Sequence, residues 1–209
     1  MPAIKLPEVK KPAGVTVTVN IEEEAIKKAF ATCTDAIIGK NGDTLSNLVD
    51  SSTVAYFTKM QQLALKGGQG EVKALPLADR LTVVRLRHAF DKEAMTALTG
   101  TKVLMNAVNR GWLEAKALQK AKLEKIVISE TQATAEFSVK DQPAPVSVAF
   151  VKENNMWHLN LMPIVKMTEP VIQDLLKKSG KAENDFISQF VTQESGKPVR
   201  QTIWEPLAV

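Results

Sequence analysis

The feature that most limits what this chain can fold into is a change of period. From Thr131 to Val165 apolar and polar residues alternate in three runs, whereas the chain before Trp112 repeats its apolar residues every three to four positions. Alternation puts every second side chain on one face of a strand, and the longer spacing lines one face of a helix. Helices first and an antiparallel sheet afterwards define an α+β body.

The two later runs, Val146–Glu153 and Met156–Val165, flank Asn154-Asn155. Asparagine tolerates the positive φ that a two-residue hairpin turn requires, so this dipeptide fixes a register. Glu153 then faces Met156, Lys152 faces Trp157, Phe150 faces Leu159 and Val148 faces Leu161. Val151 with His158 and Ala149 with Asn160 fall on the opposite face. Adding Thr131–Val139 antiparallel sets Phe137 beside Val148 and Ala135 beside Phe150. One face, with Phe137, Val148, Phe150, Leu159 and Leu161, is apolar and calls for helices against it; a slip of one residue would bring Glu136 and Glu153 into the core. Pro143 and Pro145 are assigned to the connecting loop, because proline cannot donate to a central ladder.

Residues 1–14 carry three prolines and read as an extended arm, and Val15–Val19 alternates as a short strand candidate. Asn20 and Glu23 open a helix whose stripe contains Ala25, Ile26, Ala29, Phe30, Cys33 and Ile37. A second helix starts near Ser52 and carries Tyr56 and Phe57. A third, entered through Pro76, runs from Leu77 to His88. Asp91 caps a short helix that ends at Thr99-Gly100, and another follows to Gly111-Trp112. Residues 113–122 are helical or a structured connection. After Thr168 and Pro170 come two more amphipathic segments, then a tail that Trp204 pins to the body. The division expected is an N-terminal arm over 1–19, one cone-like α+β domain over 20–194 and an extended tail over 195–209.

Composition excludes more than it suggests. The chain has 209 residues, 24% charged, with a net charge of +4. Lysines and arginines are interleaved with acids, as expected of solvated helix faces rather than a nucleic-acid surface, and aromatics for stacking bases are few. Cys33 is the single cysteine and reads as a small buried hydrophobe. Two distant histidines and one cysteine give no metal-ligand spacing; no metal and no cofactor are expected. No apolar run is long enough for a membrane helix and the first residues contain no leader pattern, so the expected location is cytoplasmic.

The strand ending Phe150-Val-Lys-Glu153, the turn Asn154-Asn155 and the return Trp157-His-Leu-Asn-Leu161 resemble the curved sheet of the nuclear transport factor two-like (SnoaL-like, cystatin-like) superfamily. The stretch from Leu98 to Trp112 is similar to the small-helix region before the sheet in many bacterial members of unknown function. The resemblance spans roughly residues 22–165 and implies a cone in which any site lies between the concave sheet face and the helices. It also implies isomerase, dehydratase or hydrolase chemistry as one use of that cone. An isomerase would need an acid–base carboxylate there, and the inward strand positions hold none.

The polar residues that could do chemistry are Tyr56, Asp79 and His88. Asp79, Arg80, Arg85, Arg87, His88 and Asp91 form a charged group that the helical spacing spreads around the surface. Ser147, His158 and Asn160 together invite a hydrolytic reading, but an open sheet face lacks the water exclusion and oxyanion donors of a triad. His158 and Asn160 are assigned instead to an interface, either of a homodimer or with another protein. Tyr56, Phe137, Phe150, Leu159 and Leu161 are assigned to a pocket lining. The expected function is non-catalytic binding of a protein partner or a small apolar ligand. The alternatives are a small-molecule enzyme using Tyr56, Asp79 or His88, and a structural subunit that assembles through its extended ends.

Overall fold

A computed structural model describes residues 13–113, 118–139, 142–143 and 147–208, with side chains from Ile21 onward. The proline-rich stretch over residues 1–12, residues 114–117 of the connection, and Pro145 and Val146 lie outside the described residues. The architecture is α+β: N-terminal helices, a curved antiparallel sheet, and C-terminal helices.

Helix α1 (Ala13–Ile38) includes Val15–Val19, the segment expected to be a strand. Alternation over five residues is a weak local preference. A helix nucleated by the long stripe beyond it extends one residue at a time at little further expense. Ile26, Phe30, Cys33 and Ile37 of that stripe are buried. Helix α2 (Gly42–Ser46) is a single turn, and α3 (Ser51–Lys66) is capped by Asp50, whose carboxylate accepts from Thr53 N at 3.0 Å. A short α4 (Gln69–Lys73) occupies the glycine-rich stretch, and α5 (Leu77–Ala89) follows Pro76. Helix α6 (Lys92–Thr96) takes its cap from Asp91. Thr99 and Gly100, expected to end that helix, instead begin α7 (Gly100–Asn109), with Thr99 as its cap. Glycine is required here because α7 crosses α3 closely: a Cβ on Gly100 would meet the Thr58 hydroxyl and lie 2.6 Å from the Val54 carbonyl.

The sheet comprises β1 (Ala121–Ser129), β2 (Gln132–Val139), β3 (Gln142–Pro143), β4 (Val148–Glu153) and β5 (Met156–Asn160). Its order is β1-β2-β4-β5, with β3 on β2. Asn154 and Asn155 both have positive φ, 50° and 62°, as a primed hairpin turn demands. The β4–β5 register is the one the turn dictates, from Glu153 opposite Met156 to Ala149 opposite Asn160. Between β2 and β4 the pairs are Ala135 with Val148 and Ala133 with Phe150, two residues from the expected register. A shift of two keeps every side chain on its face, so the alternation cannot detect it.

Strand β1 overlaps the expected helix or connection only at Ala121 and Lys122, and the sequence pattern assigns no element to the rest of it. Its register shifts between Leu123 and Ile126. A bulge of this kind adds residues to one strand and interrupts its period-two pattern. Leu123, Ile126 and Ile128 nevertheless all pack on the core. β3 is a two-residue ladder containing Pro143, and an edge position is where a strand tolerates proline. The last strand stops at Asn160, short of Val165. Met162 opens α8 (Met162–Ser179), with Pro163 in its first turn and Pro170 inside it. Proline is at ease in a first helical turn, where its missing N–H has no partner to lose. Helix α9 (Glu183–Ser195) completes the set among the described residues.

Two apolar clusters result. The larger joins α1, α3, α7 and the concave sheet face, with Phe137, Val148, Phe150, Leu159 and Leu161 inside it. The smaller joins α5, α8, α9 and the tail through Leu77, Leu81, Val84, Ile172, Ile187 and Ile203. Glu22 ties α1 to the hairpin, accepting from Lys152 Nζ at 2.6 Å and from Trp157 Nε1. Arg80 and Arg87, expected on the surface, are buried. The Arg87 guanidinium donates to the carbonyls of Leu63, Ala64 and Gly67 at the end of α3, and to those of Ile203 and Trp204 in the tail. A cation there satisfies carbonyls the helix leaves open. The tail is therefore docked, with Ile203 buried and Trp204 half-buried beside it.

Candidate functional site

Between the two clusters lies a cavity of about 500 Å³. The sheet side contributes Phe137 and Val139 of β2 and Pro143 of β3. The helical side contributes Ile37 of α1, Tyr56 and Phe57 of α3, and Ala107 of α7. Facing them is α8, whose Ile164, Val165, Thr168, Val171, Ile172 and Leu175 recur at helical spacing and all line the space. Helix α5 adds Ala78, Leu81, Thr82 and Arg85 at the same spacing, and α9 adds Phe190 and Glu194. Val171 is 58% exposed and Leu175 41% exposed, although both line the cavity. They mark its mouth, since an apolar side chain that belongs to the wall and also meets solvent must stand at the opening.

The wall opposite the sheet is held by Glu169 on α8. Its carboxylate accepts from Leu77 N at 3.1 Å and from Ala78 N at 2.7 Å, the first two amides of α5. Helix α5 has no side-chain cap of its own, because Pro76 occupies that place. Burial disfavours the charged form of Glu169. Hydrogen bonds from Gln173 and from the amides of Ala78 and Leu77, with the Arg80 charge nearby, outweigh it and hold the carboxyl below its usual range.

Polar side chains interrupt the apolar lining at Tyr56, Thr82, Arg85, Gln142, Thr168 and Glu194. Tyr56 Oη donates to Asp79 Oδ1 at 2.7 Å, and its ring meets Phe57 edge-on at 5.1 Å. Burial, then the Asp79 charge and the bond to it, push the phenol well above its ordinary value, against an opposing bond from Thr82. Tyr56 is thus a neutral donor whose proton already has an acceptor. Arg85 makes a two-pronged pair with Glu194, Nε to Oε2 and Nη2 to Oε1, each 2.8 Å. The guanidinium carbon lies 5.8 Å from the Trp112 ring centre and 5.5 Å from that of Phe190, so aromatic faces also hold it.

Of the residues assigned to a pocket by sequence, Tyr56, Phe137 and Leu161 line the cavity. Phe150 and Leu159 are buried in the larger cluster, away from its wall. Of the acid–base candidates, Tyr56 and Asp79 are joined by their hydrogen bond. His88 lies apart, at the seam between α5 and α9, with Nε2 2.9 Å from Ser195 Oγ. Burial and the nearby Arg200 and Lys197 charges lower its pKa. His158 and Asn160 occupy the face opposite Phe150 and Leu159. Asn160 bonds within the chain, to Ser52 Oγ and Met162 N. Both ring nitrogens of His158 are buried without a hydrogen-bond partner among the described residues. Cys33 is fully buried, and burial pushes its thiol up to about 12. Among the described residues there is no group of three side chains suited to a metal ion and no helix long and apolar enough to cross a membrane.

Sequence reasoning missed the α8 wall and the Arg85–Glu194 pair. The α8 stripe was legible from Ile164 to Leu175 once Pro163 is taken as a helix start. The ion pair joins residues 109 positions apart, and no local pattern announces it.

No protein-family model matches the chain, and no curated protein matches it. A solved structure similar to it is that of a phospholipid-binding protein from Ralstonia solanacearum, in complex with a phospholipid. That protein is 14% identical over 89% of this chain and 98% of that one, with a TM-score of 0.27. The site's meaning therefore rests on its own geometry.

Proposed function

We propose that this chain is a binding protein that takes up one small apolar or amphipathic ligand between α8 and the sheet, and does no chemistry on it. The observation that carries this reading is the cavity: about 500 Å³, walled mainly by aliphatic and aromatic side chains, with exposed Val171 and Leu175 at its mouth. Ligand sites typically enclose roughly 300–1,000 Å³ and combine an apolar lining with a few placed polar groups. Burying an apolar ligand there releases water from both surfaces, at roughly 25 cal/mol per Å² removed.

The polar groups support binding over catalysis. A general base must have a lone pair within reach of the proton it takes. Tyr56 is a neutral donor engaged with Asp79, and His88 faces Ser195 outside the lining. We also propose that the helix-and-sheet half shares its origin with the nuclear transport factor two-like superfamily, with α8 and α9 as the elements that complete the pocket.

Native mass spectrometry of the purified chain, equilibrated with a long-chain alcohol, tests the reading. The expected result is one alcohol bound per chain, retained through gentle activation. No adduct at saturating alcohol, or a ladder of adducts with no plateau at one, would overturn it.

A further inference from the structure

The cavity wall includes a charged pair, Arg85 and Glu194, that an apolar ligand alone does not explain. A partly desolvated ion pair costs free energy relative to apolar residues of the same volume, and this one stands in the wall of a mainly apolar space. Its side chains are 12% exposed for Arg85 and 28% for Glu194. Trp112 and Phe190 hold the guanidinium, so its orientation is set before any ligand arrives.

Both partners have an open edge. A guanidinium carries five N–H donors. The Nε–H and one Nη2–H of Arg85 go to Glu194, which leaves three without an acceptor among the described residues. Nη1 is not sealed off, unlike the buried and unpartnered Nε of Arg80. Each Glu194 oxygen accepts one bond from Arg85 and keeps lone-pair capacity. A pair with net charge near zero gives no advantage to a singly charged group, because one member attracts what the other repels. It does favour a group that carries both charges at matching separation.

We propose that the ligand of this cavity is an amphiphile with a zwitterionic head. Its anionic group docks on the free Nη1 edge of Arg85, its ammonium group meets Glu194, and its chain lies against Leu81, Val165 and Ile172. The inference rests on the cavity being a ligand site. Charge-assisted bonds to a planar fork are directional, so the head fixes which end of the ligand sits at Arg85.

The test uses four compounds with the same alkyl chain, below their micelle concentrations: an alkylphosphoethanolamine, an alkyl phosphate, an alkylammonium salt and the uncharged alcohol. Displacement of an uncharged fluorescent probe from the full chain gives each affinity. The zwitterion is expected to bind about tenfold more tightly than either singly charged compound. Glu194→Gln should remove its advantage over the alkyl phosphate, and Arg85→Gln its advantage over the alkylammonium. Thermal unfolding checks that each variant is folded, and the wild-type series needs no variant. If the alcohol binds and the three charged heads are not ranked this way, this inference falls alone. If the alcohol itself does not bind, the reading of the cavity falls with it.

Discussion

Removing the Glu169 carboxylate tests whether α8 is positioned as a wall or merely lies nearby. Glu169→Ala deletes the acceptor of two backbone amides, Leu77 N and Ala78 N, at a helix start with no other side-chain cap. Losing a cap typically destabilises by about 0.5–2 kcal/mol, and a carboxylate at the positive end of a helix contributes roughly 0.3–1 kcal/mol more. The expected loss is about 2 kcal/mol, a fall of roughly 4–8 °C in Tm for a chain of this size. Glu169→Gln keeps an acceptor oxygen and loses the charge, so about half the effect is expected. Urea unfolding at neutral pH measures both. The acid limb supplies a second check. The carboxyl of Glu169 is lowered from its ordinary 4.5, so its stabilisation is present above that value and lost as pH falls through the folded one. The gap between wild type and Glu169→Gln should close in acid. A Glu169→Ala variant within about 0.5 kcal/mol of wild type, the range of indifferent surface changes, would refute the reasoning. So would a gap between wild type and Glu169→Gln that persists unchanged in acid.

Other perturbations follow from the same packing. Gly100→Ala drives a Cβ against the Thr58 hydroxyl and the Val54 carbonyl; it should destabilise by about 1–3 kcal/mol, read from the urea midpoint. Arg87→Met removes the donor from three carbonyls at the end of α3 and two in the tail. A loss of about 3 kcal/mol or more is expected, with faster amide exchange in residues 200–208. Glu22 is lowered chiefly by its bond to Lys152, and Glu153 by the Ser51 amide. Both carboxyls, like Glu169, stabilise the fold above about 4.5 and lose that effect below it. The urea midpoint should therefore drop as pH falls from 5 to about 3, and a midpoint that rises would contradict the assignment.

The hairpin was the most legible part of the fold, because Asn154-Asn155 fixes a register and the register assigns faces. The rest failed for identifiable reasons. Strand β1 was hidden by its bulge, which separates Leu123 from Ile126 by three residues on one side. The start of α8 was taken for strand because Trp157, Leu159, Leu161 and Val165 continue the alternation; Pro163 was the signal that the period had ended. Arg87 was placed on the surface because a charge in a helix is usually solvated. Its burial depends on carbonyls at α3 and in the tail, far away in sequence. The candidate site was half legible. Sheet-side residues Phe137 and Leu161 came from the register. The opposite wall came from α8, which begins at Met162, with α5 and α9 beside it, and its charged pair is one that only the folded chain brings together.

The most direct test of the central claim is a titration of the full chain with an uncharged fluorescent probe, repeated on Ala78→Phe, which places a ring in the cavity from α5. The account predicts saturable binding of one probe per chain with a blue-shifted emission in the wild type. It predicts a loss of at least tenfold in affinity in the variant, with the thermal transition essentially unchanged. Equal probe affinity in the two proteins, or no saturable binding in the wild type, would contradict it.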